Sequence, residues 1–183
     1  MPDNIQSEDN NTQTPAPRKR PKHLRPDLAS ALRRARIAPE RWLMHRGCRA
    51  WVPFTRNGVG VSVFYQKRAS SVTVCAVPAT INLLNFPDIA DAVLSVGRIV
   101  PVQTEIERGL IRVSMRVALL PEALRQASDC CVDIAADLAC LVAAMIEHPE
   151  LRGNLKAAQA WFNRFVCEQG RGLVIELRSM PVN

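Results

Sequence analysis

The sequence lacks the motifs on which most enzyme active sites depend. It contains no glycine-rich phosphate loop, no H-E-x-x-H zinc motif, no G-x-S-x-G serine motif and no EF-hand calcium loop. Its three histidines stand far apart, with His23 in a polar stretch, His45 isolated and His148 at the end of a predicted helix. A histidine-based nucleophile system is therefore not indicated, and we predict a protein that is not an enzyme and has no catalytic residues.

The cysteines also lack the spacing of a metal site. None of them forms a C-x-x-C pair, and no cysteine–histidine cluster has zinc-finger spacing. Scattered cysteines are typical of free thiols in a reducing compartment. We therefore predict no metal site, no cofactor and buried or half-buried free thiols at positions 48, 75, 130, 131, 140 and 167.

Segments that would direct the chain into or across a membrane are not found. No apolar run approaches the roughly 20 residues that a membrane-spanning helix needs. The first residues, Met-Pro-Asp-Asn, lack the basic and apolar regions of a secretory signal. These absences predict a cytoplasmic protein with no membrane contact.

Positive charge is present but is concentrated in one segment. The net charge is +7, yet ten of the 24 Lys and Arg residues lie in residues 18–46, beside only two acidic residues. From residue 47 onward, fourteen basic residues stand against twelve acidic ones. Basic clusters bind phosphate-rich partners or simply remain solvated. Both interpretations stay open for Arg18, Lys19, Arg20, Lys22, Arg33, Arg34 and Arg36.

Composition divides the chain into three parts. Residues 1–24 are polar and charged, and they hold too little apolar surface to offset the entropy of ordering, so we predict a disordered tail. Residues 25–148 show the alternating patterns of one α+β domain. Residues 149–183 follow as a C-terminal appendix, with a helix at 155–166 and a strand composition at 173–177.

The first half of the domain predicts a helix, three strands and a second helix. Residues 26–37 place apolar side chains at helical spacing and leave the arginines on or beside the exposed face. Residues 49–78 alternate with period two, and Asn57-Gly58 is a strong hairpin signal. Within residues 82–97, apolar residues again recur at helical spacing, and Gly97 has the character of the residue that follows a helix end.

A second hairpin is predicted at residues 99–106 and 110–119, with Arg108-Gly109 as its turn. Its register pairs Glu105 with Arg112 on one face and places Arg116 on that face as well. The apolar pairs of the opposite face would be Ile106 with Ile111, Thr104 with Val113, Val102 with Met115, and Val100 with Val117.

A long amphipathic helix is predicted to follow at residues 122–146. Its apolar residues recur three and four positions apart and favour a core helix across the hairpin, although part of this stripe has the spacing of a dimer seam. Asp129, Asp133 and Asp137 form a row along one side. We expect this row on the solvated face, with a basic partner surface, including residues 33–36 of this chain, as the alternative.

The element order predicted for residues 26–147 is α-β-β-β-α-β-β-α. This order resembles the YbjN-like and type III secretion chaperone-like fold. The resemblance is sharpest in residues 85–146, where a helix ending in Val-Gly-Arg precedes a hairpin with a Glu-Arg-Gly turn, a strand ending in Leu-Leu-Pro and the long helix. It implies a small cytoplasmic α+β domain, a homodimer, that binds other proteins as a chaperone or regulator. The basic charge and the two terminal extensions depart from the family pattern.

Two functions follow from these observations. The first is a non-enzymatic protein-binding module, a chaperone-like or regulatory adaptor that acts as a homodimer on a protein partner or client. The alternative is a nucleic-acid-associated regulator that uses residues 18–46 as an electrostatic anchor, with an affinity that falls as salt rises. The partner-binding residues expected for the first function are Arg112, Arg116, Asp129, Asp133 and Asp137.

Overall fold

The computed structural model describes residues 26–39, 43–45, 49–66 and 70–170 of the chain. In chain order this part contains α1 (Pro26–Arg34), β1 (Leu43–His45), β2 (Arg49–Arg56), β3 (Val59–Gln66), β4 (Ser71–Val77), α2 (Pro87–Gly97), β5 (Gln103–Glu107), β6 (Leu110–Ala118), α3 (Pro121–Glu147) and α4 (Leu155–Glu168). Short 3-10 helices at Leu83–Asn85 and Pro149–Leu151 precede α2 and α4. The predicted tail (1–24) and the strand predicted at 173–177 lie outside the described residues.

The six strands form one antiparallel sheet in the order β1-β2-β3-β4-β6-β5. Helices pack against this sheet, so the α+β class predicted from the sequence is confirmed. The predicted order of helices and strands is found with one addition, the strand β1, which pairs with β2. Three residues are too few to show an alternating pattern, which is why the sequence does not predict β1.

Both tight hairpin turns adopt the left-handed backbone that their residues favour. The φ angles are 50° and 76° at Asn57 and Gly58, and 54° and 80° at Arg108 and Gly109. Positive φ at both central residues is the type I′ turn, whose twist matches that of the flanking strands. The two turns predicted from the sequence are therefore confirmed, and they fix the register of β2 with β3 and of β5 with β6.

The predicted register of the second hairpin is correct near its turn and wrong further away. The pairs of Ile106 with Ile111, Thr104 with Val113 and Glu105 with Arg112 are all present. Residues 99–102 are not a strand, so the predicted partners of Met115 and Val117 are wrong, and these residues pair instead with Val74 and Val72 of β4.

Two features of the chain explain this difference. Pro101 has no N–H to donate to a strand ladder, so pairing begins only at Gln103. In addition, β6 is an inner strand with β4 on one side and β5 on the other. Alternation along β6 identifies its buried face, but it does not identify which strand pairs with each residue.

The hydrophobic core lies between one face of the sheet and the helices. In the described residues, α3 packs on β3, β4 and β6, α2 packs on β5, and α1 packs on α3. The apolar stripe of α3 is buried within this chain, which confirms the core-helix prediction. Its members are Leu124, Ala127, Cys131, Ile134, Leu138, Leu141 and Met145. The dimer seam suggested for part of this stripe stays a prediction.

The C-terminal helix α4 belongs to the same core. It packs on both α2 and α3, and Phe162 at its centre is fully buried. The side chain of Gln159 also donates a hydrogen bond of 2.9 Å to the Ser95 hydroxyl on α2. The helix predicted in the C-terminal appendix therefore packs as part of the domain.

Gly97 has a different role from the one its position predicts. It is the last residue of α2, and the cap residue that follows, Arg98, has an ordinary φ of −77°. A Cβ atom on Gly97 would lie only 2.6 Å from Cβ of Thr104 on β5. Glycine is therefore required here by the close approach of α2 to β5 and not by a left-handed helix end.

Candidate functional site

One face of the sheet is left uncovered by the described helices. Residues that alternate with the core residues of β3, β4 and β6 point to this side, and most of them are exposed or half-buried. Phe64 is the large apolar residue among them and is 39% exposed. We call this surface the open face and define it by Ser62, Phe64, Thr73, Cys75, Arg112, Ser114 and Arg116.

Arg112 is held in place on the open face by three contacts. Its Nε donates to Sγ of Cys75 at 3.3 Å, and its guanidinium forms an ion pair of 2.8 Å with Glu107. Its guanidinium carbon also lies 5.5 Å from the centroid of the Phe64 ring, a cation–π distance. Arg112 is the cross-strand neighbour of Glu105, as predicted, but its ion pair is made with Glu107 at the turn.

Arg116 lies on the same face and is exposed. Its Nε donates a hydrogen bond of 2.9 Å to the hydroxyl of Ser71 on β4. The prediction that Arg112 and Arg116 share one exposed face of the sheet is therefore confirmed. The open face thus presents two guanidinium groups, one of them stacked on an exposed aromatic ring.

The two buried thiols, Cys75 and Cys131, are not poised for reaction. Burial raises the pKa of the Cys75 thiol, although the hydrogen bond and charge of Arg112 partly oppose this. Burial also raises the pKa of Cys131 to about 12. Both thiols are therefore neutral at physiological pH, and a neutral thiol is a poor nucleophile.

The predicted burial of the cysteines is correct for three positions and wrong for two. Cys75 and Cys131 are buried and Cys130 is half-buried, whereas Cys140 and Cys167 are exposed. All five are free thiols, as predicted, and Cys48 lies outside the described residues. The exposed pair occupies polar sides of α3 and α4, where a small sulfur-bearing side chain is tolerated.

A second concave surface lies beside α3. It is a cavity of about 300 Å³ between α3, α4 and the connection from α2 to β5. Its walls are mainly apolar, and the acidic row of α3 contributes its polar part. We call it the α3 groove and define it by Val100, Pro101, Gln126, Asp129, Cys130, Asp133, Ile134, Asp137, Phe162 and Val166.

The acidic row does not lie wholly on a solvated face, so that prediction is wrong at its C-terminal end. Asp129 and Asp133 are half-buried, but Asp137 is only 3% exposed. Residues four apart on an α-helix are rotated by about 40°. The row therefore turns away from solvent as it proceeds, and Asp137 reaches the wall of the α3 groove.

Asp129 is tied to the sheet by an ion pair. Its carboxylate accepts from the guanidinium of Arg56 at the end of β2, and Arg125, one helical turn earlier, approaches it at 3.7 Å. The alternative prediction is a contact between the acidic row and residues 33–36, but at Asp129 the contact is made with Arg56. A basic residue of the same chain therefore contacts the acidic row, but this residue is Arg56 and not one of residues 33–36.

The predicted site residues fall into separate places. Arg112 and Arg116 lie on the open face, whereas the three aspartates lie on the helical side of the sheet, so the structure does not bring the five residues together. Arg33, Arg34 and Arg36 are exposed at the end of α1, as predicted. The basic residues Arg18, Lys19, Arg20 and Lys22 lie outside the described residues.

Sequence reasoning misses Phe64 and Cys75 on the open face and the apolar walls of the α3 groove. The alternation of β3 contains the signal for Phe64, because the core residues Val63 and Tyr65 flank it on either side. No local pattern reveals the groove, since its walls come from three distant segments of the chain.

Two kinds of site are absent from the described part of the chain. Among these residues no group of three His, Cys, Asp or Glu side chains is placed to hold a metal ion. None of the described helices is both long and apolar enough to span a membrane. No protein-family model matches the chain, and a search of curated proteins finds no match.

Proposed function

We propose that this chain is a non-enzymatic protein-binding module, an adaptor of chaperone-like or regulatory type, that binds its partner through the open face. One observation carries the proposal: a six-stranded sheet is buried on one face and left uncovered by the described helices on the other. An antiparallel sheet can leave one face in water, and we infer from the pairing of Phe64 with Arg112 that this face serves an interaction.

The chemistry of the open face favours a protein partner. Arginine and aromatic side chains are the residues most often responsible for affinity at protein interfaces. Phe64 and Arg112 form such a pair, and Arg112 is already fixed by Cys75 and Glu107. Because these contacts exist before binding, the entropy lost on association is reduced.

Small side chains lie at the centre of the open face, where Arg112 covers one of them, Cys75. Ser62, Thr73, Cys75 and Ser114 occupy neighbouring strands in register. We infer that an extended segment or another sheet can lie on this face, with Phe64 as its apolar contact. The resemblance to the secretion chaperones, which hold extended client segments as homodimers, agrees with this mode of binding.

The proposal is tested with the full chain and a matched pair of variants. Phe64→Ser removes the exposed ring from the open face, and Leu155→Ser removes an exposed apolar side chain of similar accessibility, 43%, from the start of α4. Capture from a cell extract, followed by light scattering of the eluted complex, should lose its protein partner or its dimer with Phe64→Ser only. The proposal would be refuted if the two variants captured the partner equally well. It would also be refuted if the unaltered chain were a monomer that captured no protein.

A second function is favoured by one observation, the exposure of Arg33, Arg34 and Arg36 at the end of α1. Together with the basic residues before α1, they support a nucleic-acid-associated regulator. The test is binding of a short duplex or single strand at low salt by the full chain. A nucleic-acid complex of this type should weaken steeply as salt rises, because counterions compete for the phosphates. Absence of binding at low salt eliminates this function.

A further inference from the structure

The α3 groove suits an occupant that combines apolar atoms with positive charge. Its walls are apolar at Val100, Pro101, Ile134, Phe162 and Val166, and three carboxylates of α3 stand along one side. A volume of about 300 Å³ is enough for a few side chains or a short extended segment, and too small for a second helix. An acidic border attracts cationic groups, as the contacts of Arg56 and Arg125 with Asp129 illustrate.

The sequence itself supplies a segment of this chemistry. Residues 18–25 read Arg-Lys-Arg-Pro-Lys-His-Leu-Arg, with five basic residues, no acidic residue, and Pro21 and Leu24 as apolar members. They directly precede α1, which begins at Pro26 and packs against α3, the helix that bears the acidic row.

The segment is longer than the acidic row. Eight extended residues span up to about 27 Å. The eight positions from Asp129 to Asp137 advance about 12 Å along α3. We propose that residues 18–25 of this chain dock along the α3 groove, with their basic side chains on the acidic row of α3.

Docking within one chain has a consequence for the basic segment. A segment attached directly to α1 has an effective concentration near the groove in the millimolar range, so it needs little intrinsic affinity to occupy it. While docked, its basic residues make contacts for which a phosphate-rich partner must compete. Salt weakens the docked state, because charges at the border of a groove are screened. This inference does not depend on the open face.

Zero-length carbodiimide cross-linking of the full chain tests the docking directly. The sequence has only four lysines, Lys19, Lys22, Lys67 and Lys156, so each cross-link is readily assigned by mass spectrometry. We expect intrachain links from Lys19 or Lys22 to Asp129 or Asp133. Asp129→Asn removes one carboxylate that carbodiimide can activate, and it should also reduce the links to Asp133 several-fold, because the docked state is weakened. The control, Asp91→Asn at an exposed position of α2, should leave them unchanged.

Three results would overturn the proposal. Links distributed evenly over exposed carboxylates, including Asp91, would show that the segment has no fixed site. Absence of links from Lys19 and Lys22 would show that it is not near the row. Links between chains in a mixture of isotopically light and heavy protein would assign the groove to the segment of a second copy.

A second measurement leaves every described residue unchanged. Cys130 lines the groove and Cys140 is exposed on the same helix, so the full chain contains its own reference thiol. Charge reversal with Lys19→Glu and Lys22→Glu should speed alkylation of Cys130 several-fold relative to Cys140, because the shielding segment is released. An unchanged ratio of the two rates contradicts the docking, even if the aspartate variants are poorly folded.

Discussion

The guanidinium of Arg112 on β6 lies over the ring of Phe64 on β3, 5.5 Å from its centroid, with β4 between the two strands. To make this contact, Arg112 crosses the Cys75 side chain, which is only 3% exposed although it lies on the open face. Arg112 is therefore both a contact residue of this surface and the cover of a thiol.

Arg112→Ala should uncover Cys75 and weaken the sheet slightly. We expect the alkylation rate of Cys75 in the native protein to rise clearly, and the free energy of unfolding to fall by about 1 kcal/mol, because one cation–π contact and one hydrogen bond are lost. Peptide mapping after alkylation and urea titration measure the two effects. Arg164→Ala, at an exposed position of α4, should change neither quantity.

Gly109→Ala should destabilise the protein more than Gly58→Ala. Both glycines have a similar positive φ, 80° and 76°, so the backbone strain of an alanine is similar at the two positions. A Cβ on Gly109, however, would lie 1.9 Å from Oδ1 of Asn82, whereas Gly58 has no heavy atom within 4 Å of that point. We expect about 1 kcal/mol at Gly58 and at least about 2–3 kcal/mol at Gly109. Equal losses in chemical denaturation would contradict the steric cause.

Stability should decline at alkaline pH because of the Cys131 thiol. Burial raises its pKa from the ordinary 9.0 to about 12, so the folded protein retains a proton that the unfolded chain releases. The contribution of this thiol is complete below pH 9.0 and is lost as pH rises through about 12. The slope between these limits is about 1.4 kcal/mol per pH unit for one thiol.

The alkaline decline is checked by urea titration between about pH 8 and pH 11, a range in which the thiol ionises mainly in the unfolded chain. Cys131→Ala should lower stability at neutral pH and flatten the decline at high pH. Cys140→Ala, an exposed position of the same helix, should retain the decline. If Cys131→Ala left the decline of stability with pH unaltered, other ionisable groups would be its cause.

Phe162→Ala should cost about 3–5 kcal/mol in unfolding free energy, since the ring is fully buried and its loss leaves a cavity. Phe165→Ala serves as the comparison on the same helix. Its ring is half-buried and stacks on Trp161 with centroids 5.1 Å apart, so we expect about 1–2 kcal/mol. A small loss at Phe162 in thermal or chemical unfolding would show that α4 is dispensable for the core.

The sequence predicts the elements of this fold well where local periodicity is strong. The stripe of α3, the Asn57-Gly58 turn and the pairs next to Arg108-Gly109 all follow from patterns within a few residues. The pairing of β4 with β6 does not follow from such a local pattern, because it depends on where the chain returns to the sheet after α2. Pro101 is the local feature from which the start of β5 at Gln103, and not at residue 99, could have been predicted.

The candidate surfaces are less predictable than the elements. Arg112 and Arg116 are placed correctly because alternation along one strand determines their side of the sheet. Asp137 is misplaced because the exposure of a helical row also depends on α4, which approaches from far along the sequence. The partner of Asp129 is Arg56, 73 positions earlier, and no local pattern links the two.

The position of β6 between β4 and β5 has a consequence for how the chain acquires its structure. The pairs within β2, β3 and β4 join residues close in sequence, whereas Ser71 pairs with Ala118 only after α2 and β5 have been made. Local pairing forms quickly and distant pairing slowly. During synthesis β4 therefore remains an unpaired edge with the apolar residues Val72, Val74 and Ala76, a stage at which the nascent chain is prone to aggregate.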